Sequence, residues 1–254
     1  MKDFKIGLQL YSVRDHMEKN VEETLKKVAE IGYKYVEFAG FYDYEADEMK
    51  KMLDKYGLNA ISVHQVYTGI LEKPEYMVNY FKTLGIKYCA MPWMPRDSQK
   101  GTPKFDGIIE DFKKVGKLLK DNGIQFLYHN HDFEFDKFEG KFLLDWLYES
   151  VPADILQTEI DTCWVRYAGY DPCEYMKKYE GRTTLLHLKD FYTTKFNAGS
   201  AYDLIGDDGK EPEKKEKNVF EFRPLGKGMN DFPEIIKTAE DIGVECLIVE
   251  QDES

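Results

Sequence analysis

The sequence predicts an α/β protein, a (β/α)8 TIM barrel with its last helix missing, and three observations carry that prediction. Polar helices repeatedly end in Gly and an apolar strand follows: IKYCAM after Gly85, IQFLYH after Gly123, TTLLH after Gly181, VECLIVE after Gly243. Glycine just past a helix supplies the left-handed cap, and runs of Val, Ile, Leu and Tyr suit parallel strands covered on both faces. The strands close near ionisable or metal-binding side chains, at Glu37, His64, His131, Glu134, Asp161, His187 and Glu250. Eight strands and seven helices alternate through 254 residues, the length of one barrel domain. Alternation implies right-handed parallel crossovers, and a doubly wound sheet is the weaker alternative.

The elements follow in order. Strand 1 covers about residues 4–10, and Asn20 can cap the helix VEETLKKVAEI, whose Val21, Leu25, Val28 and Ile31 share a face. Strand 2 is YKYVEF, a helix lies near 46–56, and strand 3 is LNAISVH. A helix over 75–84 leads to strand 4, KYCAMP, and a longer one over 105–122 leads to strand 5. Strand 6 is ADILQTEI, preceded by Pro152, and strand 7 is TTLLHL. Asn230 should cap a helix near 231–242, and ECLIVE is strand 8. A single domain over 1–254 is expected, with residues 191–218 as a mobile insertion on the strand-end side, where lids sit. The sequence stops four residues after Glu250, so an eighth helix is missing.

Composition excludes several classes. A 43% hydrophobic content supports a large core, and a net charge of −12 argues against nucleic acid, which needs a basic surface. Cys89, Cys163, Cys173 and Cys246 form no CxxC pair and read as reduced cysteines. The start, MKDFKIGLQLYSVRD, lacks the apolar region of a signal peptide, and no apolar run approaches the ~20 residues that span a bilayer. A cytoplasmic protein with no membrane partner is expected.

The candidate site is a constellation at strand ends. Glu134, Asp161, His187 and Glu250 fall at or just past the ends of strands 5, 6, 7 and 8. In a barrel these ends are neighbours around half of the mouth, so four side chains can converge on one ion. Three carboxylates and an imidazole favour one divalent cation: Mn²⁺ first, with Mg²⁺, Co²⁺, Fe²⁺ and Zn²⁺ as alternatives. In YHNHDFEF, His129 and His131 share a strand face. His131 beside a metal can act as general base, or instead be a ligand or a hydrogen-bonded core histidine. Lys189, two residues after His187, points into the same mouth, where its ammonium can neutralise an oxyanion. Arg223 can orient substrate oxygens, and His64 and His129 are further candidate substrate contacts. Trp93 and Trp164 can wall a sugar face or pack in the core. Gly226 and Gly228 could bind a phosphate through their amides, on the weak signal of two glycines.

The motifs IGLQLYSVRD, YHNHDFEF, EIDTCWV, HLKD, PLGKGMND and IVEQD, in this order along nearly the whole chain, resemble the xylose isomerase-like TIM-barrel superfamily. The branch they resemble is the sugar phosphate isomerase/epimerase group, with inosose dehydratases and C-glycoside-cleaving enzymes as relatives. The resemblance implies a metal held by Glu134, Asp161, His187 and Glu250. It also implies His131 as the base of the C-glycoside-cleaving relatives, and Glu134 and Glu250 as bases on opposite faces, as in the epimerases.

The expected function is a metal-dependent isomerase or epimerase of a ketose or keto-sugar, working by proton abstraction next to a chelated carbonyl. The alternative is a lyase or dehydratase on an oxidised sugar or keto-polyol. A DNA-repair endonuclease would need more than five histidines and a basic groove, and a non-catalytic sugar-binding subunit would not need the ligands. A small sugar substrate is the expected partner, with a homo-oligomer compatible with the sequence.

Overall fold

The computed structural model describes residues 2–197 and 219–253. Strands β1 (Lys5–Gln9), β2 (Tyr35–Phe38), β3 (Asn59–His64), β4 (Tyr88–Met91) and β5 (Gln125–His129) come first. A small ribbon, β6 (Lys137–Phe138) and β7 (Lys141–Phe142), follows. Then come β8 (Leu156–Asp161), β9 (Thr183–Leu188), a second ribbon of β10 (Asp190–Thr193) and β11 (Phe220–Arg223), and β12 (Cys246–Val249). Eight of these close a parallel barrel in the order β1-β12-β9-β8-β5-β4-β3-β2, which settles the fold against a doubly wound sheet. Closure runs through Lys5↔Cys246 on one side of β1 and Gly7↔Tyr35 on the other.

The seven expected helices lie between the barrel strands. They are α2 (Val21–Ile31), α3 (Ala46–Tyr56), α5 (Pro74–Leu84), α6 (Phe105–Asp121), α7 (Leu143–Ser150), α9 (Pro172–Lys178) and α10 (Phe232–Asp241). Three short helices were not foreseen: α1 (Arg14–Lys19), α4 (Tyr67–Glu72) and α8 (Thr162–Tyr167), in the loops after β1, β3 and β8. Asn20 caps α2 as expected, accepting the Glu23 N–H at 3.0 Å. The cap of α10 is Asp231 and not Asn230. Asn230 is turned inward, where its side-chain amide donates to the Lys189 carbonyl at 2.9 Å. Among the described residues no helix is long and apolar enough to cross a membrane.

The main core lies between barrel and helices, where Leu25, Leu53, Phe81, Phe112 and Leu147 are buried against outward strand residues such as Val36, Phe126 and Tyr128. A smaller cluster of Ile61, Tyr88, Ala90, Leu127, Leu185, Cys246 and Ile248 packs together apart from it. Period-two alternation then aims Glu159 and Asp161 of β8, Leu185 and His187 of β9, and Leu127 and His129 of β5 into the barrel. A plug of apolar side chains thus lies beneath the polar ones, which come at the carboxyl ends of the strands.

The expected insertion, 191–218, begins in a strand and is followed by one. Its first residues, 191–193, belong to β10, which pairs antiparallel with β11 in the register Asp190↔Arg223 and Thr193↔Phe220. Residues 198–218, including the proposed lid tip, lie outside the described residues. The following PLGKG turn is organised by Asp190. Its carboxylate accepts N–H groups from Phe191, Gly226, Gly228, Met229 and Asn230 at 2.8–3.2 Å. The amides suggested for a phosphate are therefore already taken. A Cβ on Gly228 would lie 2.3 Å from both Asp190 Oδ1 and the Phe191 carbonyl oxygen, so only glycine fits this turn.

Candidate functional site

Four donors meet at the mouth: His129 from the end of β5, Asp161 from the end of β8, His187 from β9 and Glu250 just past β12. One ligand atom from each lies within 4.8 Å of the others, and all four residues are buried. Asp161, His187 and Glu250 are three of the expected set. Glu134 stands apart, and His129, expected as a substrate contact, takes its place in the cluster. The reason is local geometry. After β5 the chain turns through a 3₁₀ turn, Phe133–Phe135, which carries Glu134 behind the strand. There its carboxyl accepts the Tyr128 hydroxyl at 2.6 Å and the His131 N–H at 2.8 Å. Tyr128 faces the helices, beside Phe112 and Tyr148. Burial pushes Glu134 up to about 8, against the pull of those two hydrogen bonds.

The donor set fits a divalent ion, and the fit rests on the tautomers of the two imidazoles. His129 Nδ1 lies 3.1 Å from the Pro92 carbonyl oxygen, which can only accept. Nδ1 therefore carries the proton and the Nε2 lone pair faces Asp161 Oδ2 at 3.3 Å. His187 presents Nδ1 to Glu250 Oε2 at 2.9 Å. Outer partners that fix the ring are the usual environment of a metal-binding histidine. Asp161 also caps α8, accepting the Cys163 and Trp164 N–H groups on Oδ1, so the strand-to-helix turn holds it rigidly.

Lys189 sits inside this arrangement with 1% of its side chain exposed. Its ammonium lies 2.8 Å from Glu250, 3.3 Å from Asp161 and 3.0 Å from Asp252. Burial alone would neutralise the two cluster carboxylates. Lys189, with His187 at Glu250 and the histidines at Asp161, outweighs it and holds both below their ordinary values. Burial raises Asp252 to about 6 despite the same ammonium. Asp252 was not singled out from the sequence, although it stands in the VEQD motif.

His131 borders the cluster. Its ring lies 4.9 Å from that of His129 and 5.9 Å from Trp164, and stacks on Phe133 at 5.5 Å. Burial, then the charges of His129 and Lys189, depress it well below 6.5, so it is a neutral imidazole at pH 7. Trp164 is fully buried, stacked on Phe220 at 5.8 Å and crossed by the Lys189 ammonium at 4.9 Å. Trp93 is about half exposed, at 48%. Arg223 projects from the ribbon, its guanidinium ion-paired with Glu221 and its carbonyl accepting the Gln251 side-chain amide.

A second cluster shares His187. Glu37 from β2, His64 from β3 and Glu159 from β8 gather around its Nε2. Nε2 lies 2.6 Å from Glu37 and 3.3 Å from Glu159, and His64 Nε2 lies 2.9 Å from Glu159. Burial, reinforced by the Glu159 charge, pushes Glu37 up to about 7. Glu159 stays ionised because His187 and His64 outweigh its burial. The sequence signal for Glu159 was its spacing of two from Asp161 on one strand, which puts both on the same face.

A family model described as xylose isomerase-like TIM barrel matches residues 25–253. The chain belongs to this family. Within the family's reach, an inosose dehydratase of Geobacillus kaustophilus is 23% identical over 194 residues, 66% of this chain and 61% of that protein. This match thus spans less than two thirds of that relative. An inosose dehydratase of Clostridium perfringens is 23% identical over 266 residues, 93% of this chain and 84% of the relative. A crystal structure of a sugar phosphate isomerase/epimerase from Parabacteroides distasonis superposes with a TM-score of 0.77. It is 24% identical and covers 98% of this chain and 87% of its own, a likeness that shows the fold alone.

Proposed function

We propose that this chain is a divalent-metal-dependent enzyme that removes a proton next to the carbonyl of a small keto-sugar or cyclic keto-polyol, and that loss of a β-hydroxyl follows. This is the lyase reading. The observation that carries it is the single neutral base: His131 adjoins the ligand cluster, whereas Glu134 is sealed behind β5 in contact with Tyr128. Epimerisation by two carboxylates on opposite faces needs Glu134 in the mouth. Elimination needs one base and a stabilised oxyanion, and the same base, once protonated, can pass its proton to the departing hydroxyl so that water leaves. The two inosose dehydratase relatives are consistent with that chemistry.

The ion would be held by His129, Asp161, His187 and Glu250, and bound there it would supply Lewis acidity to the carbonyl oxygen. Two imidazoles and two carboxylates are a softer set than three carboxylates and one imidazole. Zn²⁺, Fe²⁺ and Co²⁺ therefore stand beside Mn²⁺. His131 takes the carbon-bound proton, and its depressed pKa keeps the lone pair available at neutral pH. Lys189 adds a fixed positive charge beside the developing oxyanion, in a setting where burial strengthens it. Trp164 backs that ammonium and limits access of water. The amides of the PLGKG turn are committed to Asp190, which supports an unphosphorylated substrate.

Isomerisation or epimerisation is the second reading, supported by Glu250, an ionised carboxylate within the cluster, as its base. The test is NMR of the Mn²⁺-loaded protein in D₂O with an inosose and with a panel of ketoses. Loss of water from the inosose is the expected result. Deuterium entering a ketose C–H without loss of water would establish the second reading, and no exchange in any sugar would overturn both.

A further inference from the structure

One chain of hydrogen bonds runs from a backbone amide to the ring of His187, and each link fixes the next. Tyr11 N–H can only donate, and it donates to Gln9 Oε1 at 3.0 Å. The Gln9 side-chain amide is thereby oriented, with Nε2 turned to Glu37 Oε1 at 2.7 Å. Nε2 of an amide is also purely a donor, so Glu37 Oε1 is an acceptor whether or not the carboxyl carries a proton on its other oxygen. That other oxygen faces the Ser62 hydroxyl. His187 Nε2 lies 2.6 Å from the same Oε1 and so must carry its own hydrogen. The other nitrogen, Nδ1, faces Glu250 and the ligand cluster, so it is the one an ion bound there would find free of its proton.

We infer that Glu37 is a positioning residue: it fixes the tautomer and orientation of His187, and Gln9, anchored on Tyr11, holds Glu37 in place. The inference rests on the metal centre proposed above. It assigns a purpose to polar residues on β1 and β2, strands that carry no ligand. Glu37 is fully buried, and its two oxygens are held from β1 and β3. His64 and Glu159 complete the surroundings of the ring without being fixed by a backbone donor. The competing assignment for Glu37, His64 and Glu159 is a second ion, since with His187 they too offer ligand atoms within 4.8 Å. Sharing His187 argues against it, because a ring whose Nε2 donates to Glu37 can offer an ion a lone pair only at Nδ1.

The experiment compares Glu37→Gln with Glu37→Met, using Zn²⁺ as probe. Calorimetric titration of the wild type should give one ion per chain. Glu37→Met removes the acceptor and should weaken Zn²⁺ binding by ~10–100-fold, the range for partners of metal ligands. Glu37→Gln retains an acceptor oxygen oriented by Gln9, and its affinity should stay within a few-fold of wild type. Side-chain ¹⁵N NMR of the zinc-loaded proteins reads the ring directly. The His187 Nε2–H signal should persist in wild type and Glu37→Gln and be lost or shifted in Glu37→Met. Equal loss in both variants would mean that charge and not acceptor geometry matters, and would overturn the inference. An unchanged Glu37→Met would overturn it as well, as would two ions per wild-type chain falling to one. Failure of the metal centre has a separate signature: Asp161→Asn would then leave Zn²⁺ affinity unchanged.

Discussion

The two clusters that meet at His187 use the same residue types for different ends. Around Nδ1 stand Asp161, Glu250 and His129, with lone pairs turned toward one another and an ammonium pressed among them. Around Nε2 stand Glu37 and Glu159, tied by Gln9, Ser62 and His64 into hydrogen bonds that already use most of their oxygens. Convergent lone pairs held at short range cost free energy unless a cation answers them. A hydrogen-bonded network costs little and orients its members. On the proposed reading the first arrangement receives an ion and the second holds a ring. Donor type alone does not distinguish them; what each donor's second atom touches does.

Breaking the ligand side should have the largest consequence. Asp161→Asn keeps shape and the α8 cap but removes a ligand charge, and should weaken Mn²⁺ binding by more than the ~100-fold expected of an outer partner. Equilibrium titration checks this, and a value within ten-fold of wild type would erase the contrast between the clusters. Next comes His131, which touches neither function of His187. His131→Ala should leave metal content intact and reduce turnover by ~10²–10⁴-fold. Metal analysis beside the rate measurement separates a base from a ligand.

Lys189 sharpens the contrast further because its two roles oppose each other. Lys189→Met should lower turnover by ~10²–10³-fold, as loss of an oxyanion partner does. The same change removes a positive charge, 2.8 Å from Glu250, that competes with a cation for the carboxylates, and should tighten Mn²⁺ binding. Parallel losses in both quantities would show that Lys189 acts through the fold. The smallest effect belongs to Glu134, outside both clusters. Its carboxyl sits at about 8 when folded, above its unfolded value near 4.3. The folded state thus binds the extra proton between those values, so stability is greater below pH ~4.3 and declines as pH rises toward 8. Glu134→Gln should flatten that slope in urea unfolding at pH 5 and pH 8 while leaving Mn²⁺ affinity unchanged.

The barrel was legible because its signals are local. Glycine after most of the helices and an apolar run after each such glycine placed most of the strands, and the polar residues closing those runs marked the mouth. That Asp161 and His187 face the mouth follows from a strand's period of two, and Glu250 joins them just past β12. Glu134 was not legible in this way, because it lies in the 3₁₀ turn Phe133–Phe135 beyond β5, where a strand's period of two no longer sets direction. Glu159 is less legible because it lies inside β8, one period before the strand-end Asp161. Gln9 and Glu37 acquire meaning only through partners on neighbouring strands, which a linear sequence does not show. Asn230 lost its capping role to Asp231 because the Lys189 carbonyl needed a donor.

The central claim is the location of the ion. An anomalous difference map from crystals grown with Mn²⁺ should show one peak bounded by His129, Asp161, His187 and Glu250, on the Nδ1 side of His187. A peak on the Nε2 side, among Glu37, His64 and Glu159, or one beside Glu134, would contradict it.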